Sequence, residues 1–312
     1  MNKKQFLMIG LLTVTCTCLK AQNDALPVYL DENQPIELRI KDALSRMTLE
    51  EKTRLSYAQG KFSSPGCPRL GIPELWMSDG PHGVRAEVNW NDWGYAGWTS
   101  DSCTAFPALT CLAASWNTEL AGKYGKAIGE EARYREKDVL LGPGVNIYRT
   151  PLNGRNFEYM GEDPYLAAEM CVPYIQGVQS NKVAVCVKHY ALNNQEVWRG
   201  HIDVQVSDRA LREIYLPAFQ AAVQRGHAWS IMGSYNKVRG VHATHNELLN
   251  NKILKGEWGF DGCVITDWGA AHDTYQAAMY GLDIEMGSYT NGLTSEAEFG
   301  YDDYYLGKNY LK

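Results

Sequence analysis

Several motifs that mark common functional sites are absent from this 312-residue sequence. It has no basic tract, and its 36 acidic residues outnumber its 30 basic ones, so we predict no nucleic-acid partner. No Walker-type phosphate loop occurs, and no G-x-G-x-x-G segment opens a helix after the first predicted strand. The G-x-S-x-G elbow that presents a nucleophilic serine is also missing. Nucleotide-dependent and serine-hydrolase chemistry therefore have little support.

Metal-ligand spacings are equally scarce. The sequence contains no C-x-x-C pair and no H-x-x-x-H helix, and the close pair His242 and His245 lies in a predicted loop. We therefore predict neither a metal site nor a cofactor.

Long apolar runs are rare as well, and the clearest lies near the N-terminus. Lys3 and Lys4 precede the apolar residues 6–12, and the small residue Ala21 follows a weaker apolar stretch. This order is typical of a secretory signal peptide, and the run is too short and too rich in Thr to span a membrane permanently. We predict a signal peptide over residues 1–22 and export, with the bacterial periplasm as the destination.

Cysteine usage leaves two alternatives open. Cys16 and Cys18 allow a lipoprotein anchor, which is the less favoured reading because neither has Leu three positions before it. Cys67 and Cys103 lie in predicted loops, where an exported protein could form a disulfide. Three further cysteines lie in apolar stretches, where Cys usually behaves as a small hydrophobic residue. These are Cys111, Cys186 and Cys263.

Beyond residue 22, short apolar runs alternate with segments of helical periodicity. Thr48 and Glu51 form a capping box for one helix. This alternation favours parallel β/α units, so we predict one α/β domain over residues 23–312, a (β/α)8 TIM-like barrel. Strands are predicted at residues 75–77, 139–141, 183–188, 229–233, 263–266 and 282–286, and helices at residues 36–47, 120–133, 167–179, 208–224 and 246–257.

Polar and aromatic side chains follow the predicted strands, where barrels collect their functional groups. Residues 263–266 lead directly into Asp267 and Trp268, and four other strands also end in charged, amide or aromatic residues. An Asp after a strand can merely cap the next helix, and ordinary turns explain polar residues at any single strand. Five such ends together favour a functional cleft. Its predicted members are Asp79, Arg155, Glu158, Lys188, His189, Tyr235, Asp267 and Trp268.

This set of side chains suits a sugar, whose adjacent hydroxyls both donate and accept hydrogen bonds. Glycoside hydrolysis fits best, because one carboxylate attacks or stabilises the anomeric carbon while a second carboxyl group protonates the leaving oxygen. Asp267 is the candidate for the first role, and we expect Lys188 and Arg155 to keep it ionised. The 9 Trp and 19 Tyr suit stacking on sugars, although an aromatic-rich core explains them equally well. The sugar hydroxyls would be held by Asp79, Arg155, Lys188 and His189, with Trp268 against the ring.

Four segments carry a more specific signal: SDGPHGVR at residues 78–85, GRNFEYMGEDP at 154–164, KHY at 188–190 and GCVITDW at 262–268. In order and spacing they resemble glycoside hydrolase family 3, which holds β-glucosidases and β-xylosidases. The resemblance implies a retaining, exo-acting enzyme that removes terminal non-reducing β-D-glucosyl or xylosyl residues through a covalent glycosyl-enzyme intermediate.

The resemblance also implies roles for individual residues. Asp267 matches the family nucleophile, and Glu158 is expected to position Arg155 or Lys188 rather than to transfer protons. The positions that match the terminal-sugar site are Asp79, Arg155, Lys188, His189, Met232, Tyr235 and Trp268.

One departure from the family pattern concerns the general acid. In most members it comes from a second α/β domain after the barrel, whereas this sequence ends at Lys312. We expect a barrel truncated before that domain. A single-domain member that uses His201 with Asp203 as the acid is a weaker alternative, because the surrounding residues do not match.

The sequence is compatible with two functions. The first is the β-glycosidase, acting on a β-linked oligosaccharide or glycoside. The second is a catalytically impaired fragment or sugar-binding domain without the acid. An N-acetylglucosaminidase ranks lower because its sequence signature is absent. The sequence decides neither glucoside against xyloside nor the oligomeric state.

Overall fold

The computed structural model describes residues 26–89, 93–98, 102–287 and 304–307. The chain divides into two compact units, residues 1–46 and 47–312. In the first unit, a 3-10 turn at Val28–Leu30 precedes helix α1 at Ile36–Arg46. The predicted signal peptide at residues 1–22 lies outside the described residues. Among the residues that are described, no helix is both long enough and apolar enough to cross a membrane.

The second unit contains a curled mixed sheet with helices against it. Its main sheet has the order β1-β2-β3-β4-β6-β9, in which only the β1–β2 pair is antiparallel. A small second sheet has the order β5-β7-β8. The strands are β1 (Ser63–Ser64), β2 (Leu75–Asp79), β3 (Val139–Leu141), β4 (Ala184–Tyr190), β5 (Asp203–Val204), β6 (Ser230–Gly233), β7 (Lys237–Val238), β8 (Val241–His242) and β9 (Cys263–Thr266).

Helices follow most of these strands, as the alternating sequence pattern predicts. The capping box is confirmed: Thr48 Oγ1 accepts from the Glu51 amide at 3.2 Å, and Glu51 Oε2 accepts from the Thr48 amide at 2.9 Å. The α-helices of this unit are α2 (Leu49–Arg54), α3 (Leu109–Ala114), α4 (Thr118–Tyr134), α5 (Pro164–Gln179), α6 (Asp208–Ala210), α7 (Pro217–Gln224) and α8 (Thr274–Met279); π-helices occupy Leu211–Tyr215 and Leu248–Glu257.

The predicted strand at residues 282–286 forms only isolated parallel bridges. Ile284 pairs with Ile265 of β9, and Glu285 pairs with Tyr57. Gly281 and Gly287, both at φ +82°, flank the segment and limit the length of extended backbone. The (β/α)8 closure therefore stays a prediction, while the α/β class and the parallel strands are established.

Both faces of the main sheet are buried, which explains the continuous apolar runs in its strands. One face packs against the helices and the other fills the space inside the curl of the sheet. The helix-facing residues include Leu140, Val185, Val187, Ile231 and Val264, and the inner residues include Met77, Leu141, Cys186, Met232 and Ile265.

Cys67 and Cys103 do not form the disulfide that the sequence left open, so that possibility is wrong. All six cysteines from Cys67 to Cys263 are free thiols. Cys67 is buried, and the exposed Cys103 instead donates from Sγ to the Val84 carbonyl at 2.8 Å.

Candidate active site

The carboxyl ends of the parallel strands deliver the predicted site residues to one edge of the sheet. Asp79 ends β2, Lys188 and His189 lie near the end of β4, and Asp267 directly follows β9. The parallel register aligns these ends, because Gly233 of β6 lies opposite both Tyr190 and Thr266. Chain segments that are far apart in sequence therefore meet here.

A cavity of about 320 Å³ opens at this edge, and all eight predicted cleft residues line it. Met232, predicted from the family resemblance, lines it as well. Five further residues line the cavity that were not predicted from the sequence. They are Phe62, Arg85, Trp93, Leu141 and Arg199.

Lys188 and Asp79 form an ion pair on one wall. The Lys188 side chain is only 2% exposed, and its Nζ lies 2.9 Å from Asp79 Oδ1. Burial opposes both charges, but the pair outweighs it: the pKa of Asp79 falls below its usual value, and the pKa of Lys188 rises. Arg85, whose Nη1 lies 3.8 Å from Asp79 Oδ2, contributes to the lowering. The wall thus presents a carboxylate and an ammonium group to the cavity.

Arg155 is held by acidic neighbours on a second wall. Its Nη2 donates to Glu158 Oε2 at 2.7 Å, and its Nη1 lies 3.8 Å from Glu196 Oε1. Glu196 also pairs with Arg199 at 2.6 Å, and the Arg199 guanidinium lies 4.2 Å above the Tyr235 ring. Glu158 therefore positions Arg155, as the sequence led us to expect. Arg199 has no signal in the strand-end pattern, because it lies in the irregular segment after β4.

His189 is buried and fixed on several sides. Its backbone N–H donates to Asn146 Oδ1 at 2.6 Å, and Asn146 Nδ2 donates to the His189 carbonyl at 2.9 Å. Tyr159 Oη lies 3.0 Å from His189 Nδ1. Burial, reinforced by Arg155 and other cations, holds the pKa of His189 well below its usual range. The ring is therefore neutral.

Asp267 presents an unpaired carboxylate oxygen to the cavity. The residue is 8% exposed, and its Oδ1 accepts from the Trp268 amide at 2.8 Å. Its buried Oδ2 has no hydrogen-bond partner within the described residues, and the nearest basic nitrogen, His189 Nε2, is 3.6 Å away. Burial and the nearby Asp267 carboxylate raise the pKa of the Tyr235 phenol, and its hydroxyl donates to the Trp268 carbonyl at 3.0 Å.

Two opposing effects act on the Asp267 carboxyl group, the expected one from the cations and an unpredicted one from burial. Burial raises the pKa of this carboxyl group, and Arg155 and Lys188 lower it by less than burial raises it. The sequence identified the two cations but could not report that the carboxyl group is desolvated. The unpaired Oδ2 retains a lone pair that is free to react.

Aromatic rings form the remaining side of the cavity. Trp268 donates from Nε1 to the Lys61 carbonyl at 2.6 Å, which fixes its indole. Phe62 contacts Trp268 with ring centroids 5.2 Å apart, and Trp93 lies edge-on to Phe62 at 6.0 Å. Charged groups of both signs opposite flat rings suit a pyranose, which has polar edges and apolar faces.

Other predicted groups lie elsewhere. Neither His201 nor Asp203 lines the cavity; Asp203 Oδ1 instead accepts from the Gly240 amide at 2.8 Å in the small sheet. Within the described ranges, no group of three or more His, Cys, Asp and Glu side chains is arranged to hold a metal ion.

Known proteins have sequences similar to the part of the chain that forms the sheet and the cavity. The model of the glycosyl hydrolase family 3 N-terminal domain matches residues 59–286. Beta-glucosidase BoGH3A of Bacteroides ovatus is 88% identical over 286 residues, which is 92% of this chain and 38% of the relative. An exo-alpha-(1->6)-L-arabinopyranosidase of Bifidobacterium longum is 46% identical over 250 residues, which is 78% of this chain and 32% of the relative.

A solved structure agrees with the sequence matches. Beta-glucosidase 3B from Thermotoga neapolitana, in complex with alpha-D-glucose, superposes with a TM-score of 0.74 at 41% identity. The match covers 80% of this chain and 36% of that protein. The chain thus spans less than two fifths of the length of these relatives. By family-model coverage and by sequence identity, it belongs to glycosyl hydrolase family 3.

Proposed function

We propose that this chain carries the sugar site and the nucleophile of a retaining exo-β-glucosidase. The observation that carries the proposal is the buried Asp267 Oδ2, which faces the cavity without a hydrogen-bond partner within the described residues. The relatives named as β-glucosidases and the similar structure with bound glucose support a glucosyl substrate. The ion pairs around Asp79 and Arg155 would then bind the hydroxyls of the terminal sugar.

In the proposed reaction, Asp267 Oδ2 attacks the anomeric carbon while the bond from that carbon to the leaving oxygen breaks. The resulting glycosyl ester is hydrolysed when water attacks the same carbon and Asp267 leaves as a carboxylate, while the group that protonated the leaving oxygen takes one proton from the water. The leaving oxygen needs a proton in the first step. Asp79 and Glu158 are poor donors, because each accepts a hydrogen bond from a cation. We infer that the proton comes from a group outside the described residues.

A terminal pentopyranoside is the second candidate substrate. The Bifidobacterium longum relative is named for an L-arabinopyranosidase activity, although its identity to this chain is 46%. Xylopyranosides belong to the same class, because xylose is also a pentose. Initial rates on nitrophenyl β-glucoside, β-xyloside and α-L-arabinopyranoside would rank the three, and a β-glucoside rate below the other two would overturn the glucosyl assignment.

The nucleophile is tested by covalent trapping. We expect dinitrophenyl 2-deoxy-2-fluoro-β-glucoside to label Asp267, because its good leaving group needs little protonation. Peptide mass spectrometry locates the label. Asp267→Asn should stay unlabelled, and the matched control Asp283→Asn, in which the altered carboxylate pairs with Lys255 outside the cavity, should be labelled like the wild type.

Glucose calorimetry separates the alternatives. Label on another residue would contradict the assignment of Asp267. Glucose binding without any label would favour the impaired or purely sugar-binding protein, and neither binding nor label would remove the proposed function altogether.

Two broader features belong to the same proposal. Closure of the sheet into a (β/α)8 barrel is supported by the bridges from Ile265 to Ile284 and from Glu285 to Tyr57.

Export to the periplasm is supported by the basic and apolar N-terminal residues. N-terminal sequencing of the native protein should begin at Gln22 or Asn23, and a start at Met1 would contradict export by cleavage.

A further inference from the structure

Tyr159 is a buried residue beside the cavity with no role in the reaction just described. It is 0% exposed, and its hydroxyl lies 3.0 Å from Nδ1 of His189. Its carbonyl accepts from the hydroxyl of Tyr148 at 2.9 Å and from that of Thr110 at 3.2 Å. Its ring packs so closely that a Cβ on Gly144 would lie 2.8 Å from Cδ1 of Tyr159. Tyr159 is thus fixed at its backbone, ring and hydroxyl.

The other ring nitrogen of His189 faces an obligatory donor. Arg155 Nη2 lies 3.0 Å from His189 Nε2, and a guanidinium group carries only donors. Nε2 must therefore accept. Because the ring is neutral, its single proton resides on Nδ1, and Tyr159 Oη accepts it. The rival tautomer, with the proton on Nε2, would set two N–H groups against each other.

Asp267 does not rescue the rival tautomer. Its Oδ2 is 3.6 Å from His189 Nε2, beyond the range of a hydrogen bond. Tyr159 itself allows either tautomer, since a neutral phenol both donates and accepts. Arg155 therefore disfavours a proton on Nε2, and the Tyr159 hydroxyl stabilises the remaining Nδ1–H tautomer by accepting its proton.

We propose that Tyr159 is a positioning residue that holds His189 as the Nδ1–H tautomer, so that Nε2 orients the Arg155 guanidinium toward a sugar. Arg155 then has two anchors, Glu158 Oε2 and His189 Nε2, both on Nη2. Because the guanidinium group is planar, these two hydrogen bonds also fix the directions of its remaining N–H groups. Only the sugar-binding part of this inference depends on the proposed function.

The tautomer is read directly from the 15N chemical shifts of the His189 ring in protein labelled at histidine, with His189→Gln used to assign the signals. We expect Nδ1 to show the shift of a protonated nitrogen and Nε2 that of an unprotonated one. In Tyr159→Phe the buried Nδ1–H loses its acceptor, so we expect the shifts of both nitrogens to move toward those of the other tautomer. Protonated Nε2 in the wild type would overturn the inference.

Glucose affinity gives the second readout. We expect Tyr159→Phe to weaken glucose binding about tenfold, which corresponds to about 1.4 kcal/mol for one lost hydrogen bond. The matched control is Tyr124→Phe, which removes the hydroxyl of a buried tyrosine that donates to the Pro107 carbonyl at 2.7 Å away from the cavity. The control should leave both the His189 shifts and glucose affinity unchanged.

The outcomes separate the two proposals. If the wild type binds no glucose, the proposed function fails while the 15N shifts still decide the tautomer. If Tyr159→Phe changes neither the shifts nor the affinity, Tyr159 has no positioning role. A similar loss of affinity in both variants would likewise attribute the effect to general destabilisation and overturn the inference.

Discussion

Asp267 is an acidic residue placed where ionisation is unfavourable. Burial raises the pKa of its carboxyl group above the usual 3.8, even though Arg155 and Lys188 lie nearby. In the proposed role of nucleophile, a desolvated carboxylate with an unpaired Oδ2 would be reactive, but its negative charge destabilises the folded protein. Function and stability therefore conflict at this residue.

Asp267→Asn should separate the two effects. We expect hydrolysis of an aryl glucoside to fall by about 10⁴-fold or more. We also expect a higher unfolding temperature than the wild type at pH 7. Because the folded pKa is raised, the stability contributed by the protonated carboxyl group is lost as pH rises through that value. The Asn variant does not titrate, so its advantage should shrink as pH falls toward 4. An advantage that grows on acidification would contradict the raised pKa.

The stability contributed by the Asp79–Lys188 pair depends on pH in the opposite direction. The pKa of Asp79 is lowered, so its stabilising contribution is present above pH 3.8 and is lost as pH falls through the folded value. Asp79→Asn leaves Lys188 buried without its partner. We expect a loss of about 1–3 kcal/mol at pH 7, less than for a fully buried pair because the Asp79 side chain is 41% exposed.

Urea unfolding at pH 7 measures this loss, and unfolding at about pH 3, below the usual pKa of 3.8, should show a smaller one. Glu119→Gln, which breaks an exposed pair with Lys123, serves as the control and should leave stability nearly unchanged. Equal effects of the two substitutions would show that Lys188 tolerates the loss of Asp79.

Helices α4 and α5 approach closely because glycines line their contact. A Cβ at Gly125 would lie 2.1 Å from the Tyr174 carbonyl oxygen, and one at Gly177 would lie 2.4 Å from that of Gly122. These distances are too short for any side chain, so the backbones touch. Both helices cover the sheet strands that bear the site, and their spacing therefore matters to it.

Alanine substitutions at neighbouring positions should have opposite effects. Gly125→Ala forces α4 and α5 apart, and we expect a loss of about 1–3 kcal/mol in the free energy of unfolding. In Gly122→Ala the added Cβ meets Pro173 Cβ at 3.6 Å and the Pro173 carbonyl oxygen at 3.8 Å, both ordinary contacts. The better helix propensity of Ala should therefore stabilise the protein by up to about 1 kcal/mol. Denaturant unfolding of both variants measures the difference. Equal effects would refute the close crossing.

Sequence patterns predicted helices and strands well where local interactions fix them. The capping box at Thr48 and the Asp163 side chain before α5 mark helix starts that short-range hydrogen bonds determine. The predicted helix at residues 208–224 is instead divided into α6, a π-helix and α7. Pro217 has no backbone N–H to donate, so a new helix begins there. Periodicity alone does not distinguish π from α hydrogen bonding.

The whole second unit is stabilised without disulfides among its described cysteines, although the sequence predicts an exported protein. Burial raises the pKa of the Cys171 and Cys186 thiols to about 12, so both are unreactive while the protein is folded. Cys103 and Cys111 are exposed.

Reducing agents should therefore leave this protein unchanged. We expect the same unfolding temperature with and without dithiothreitol, since no disulfide among the described cysteines constrains the unfolded chain. Iodoacetamide on the native protein should modify Cys103 and Cys111 before the buried thiols, as measured by peptide mass spectrometry. A reductant-dependent shift would reveal a disulfide.

The sequence by itself determined the buried strands, the helix starts and the position of Asp267 after β9, because each depends on residues close together in the chain. Only the tertiary structure decided which groups meet. Asp79 and Lys188 lie 109 positions apart, yet their charged atoms are 2.9 Å apart. Arg199 joined the site without a strand-end signal, because it lies in the irregular segment after β4. The raised pKa of Asp267 also came from folding, because desolvation depends on everything packed around a group rather than on its neighbours in sequence.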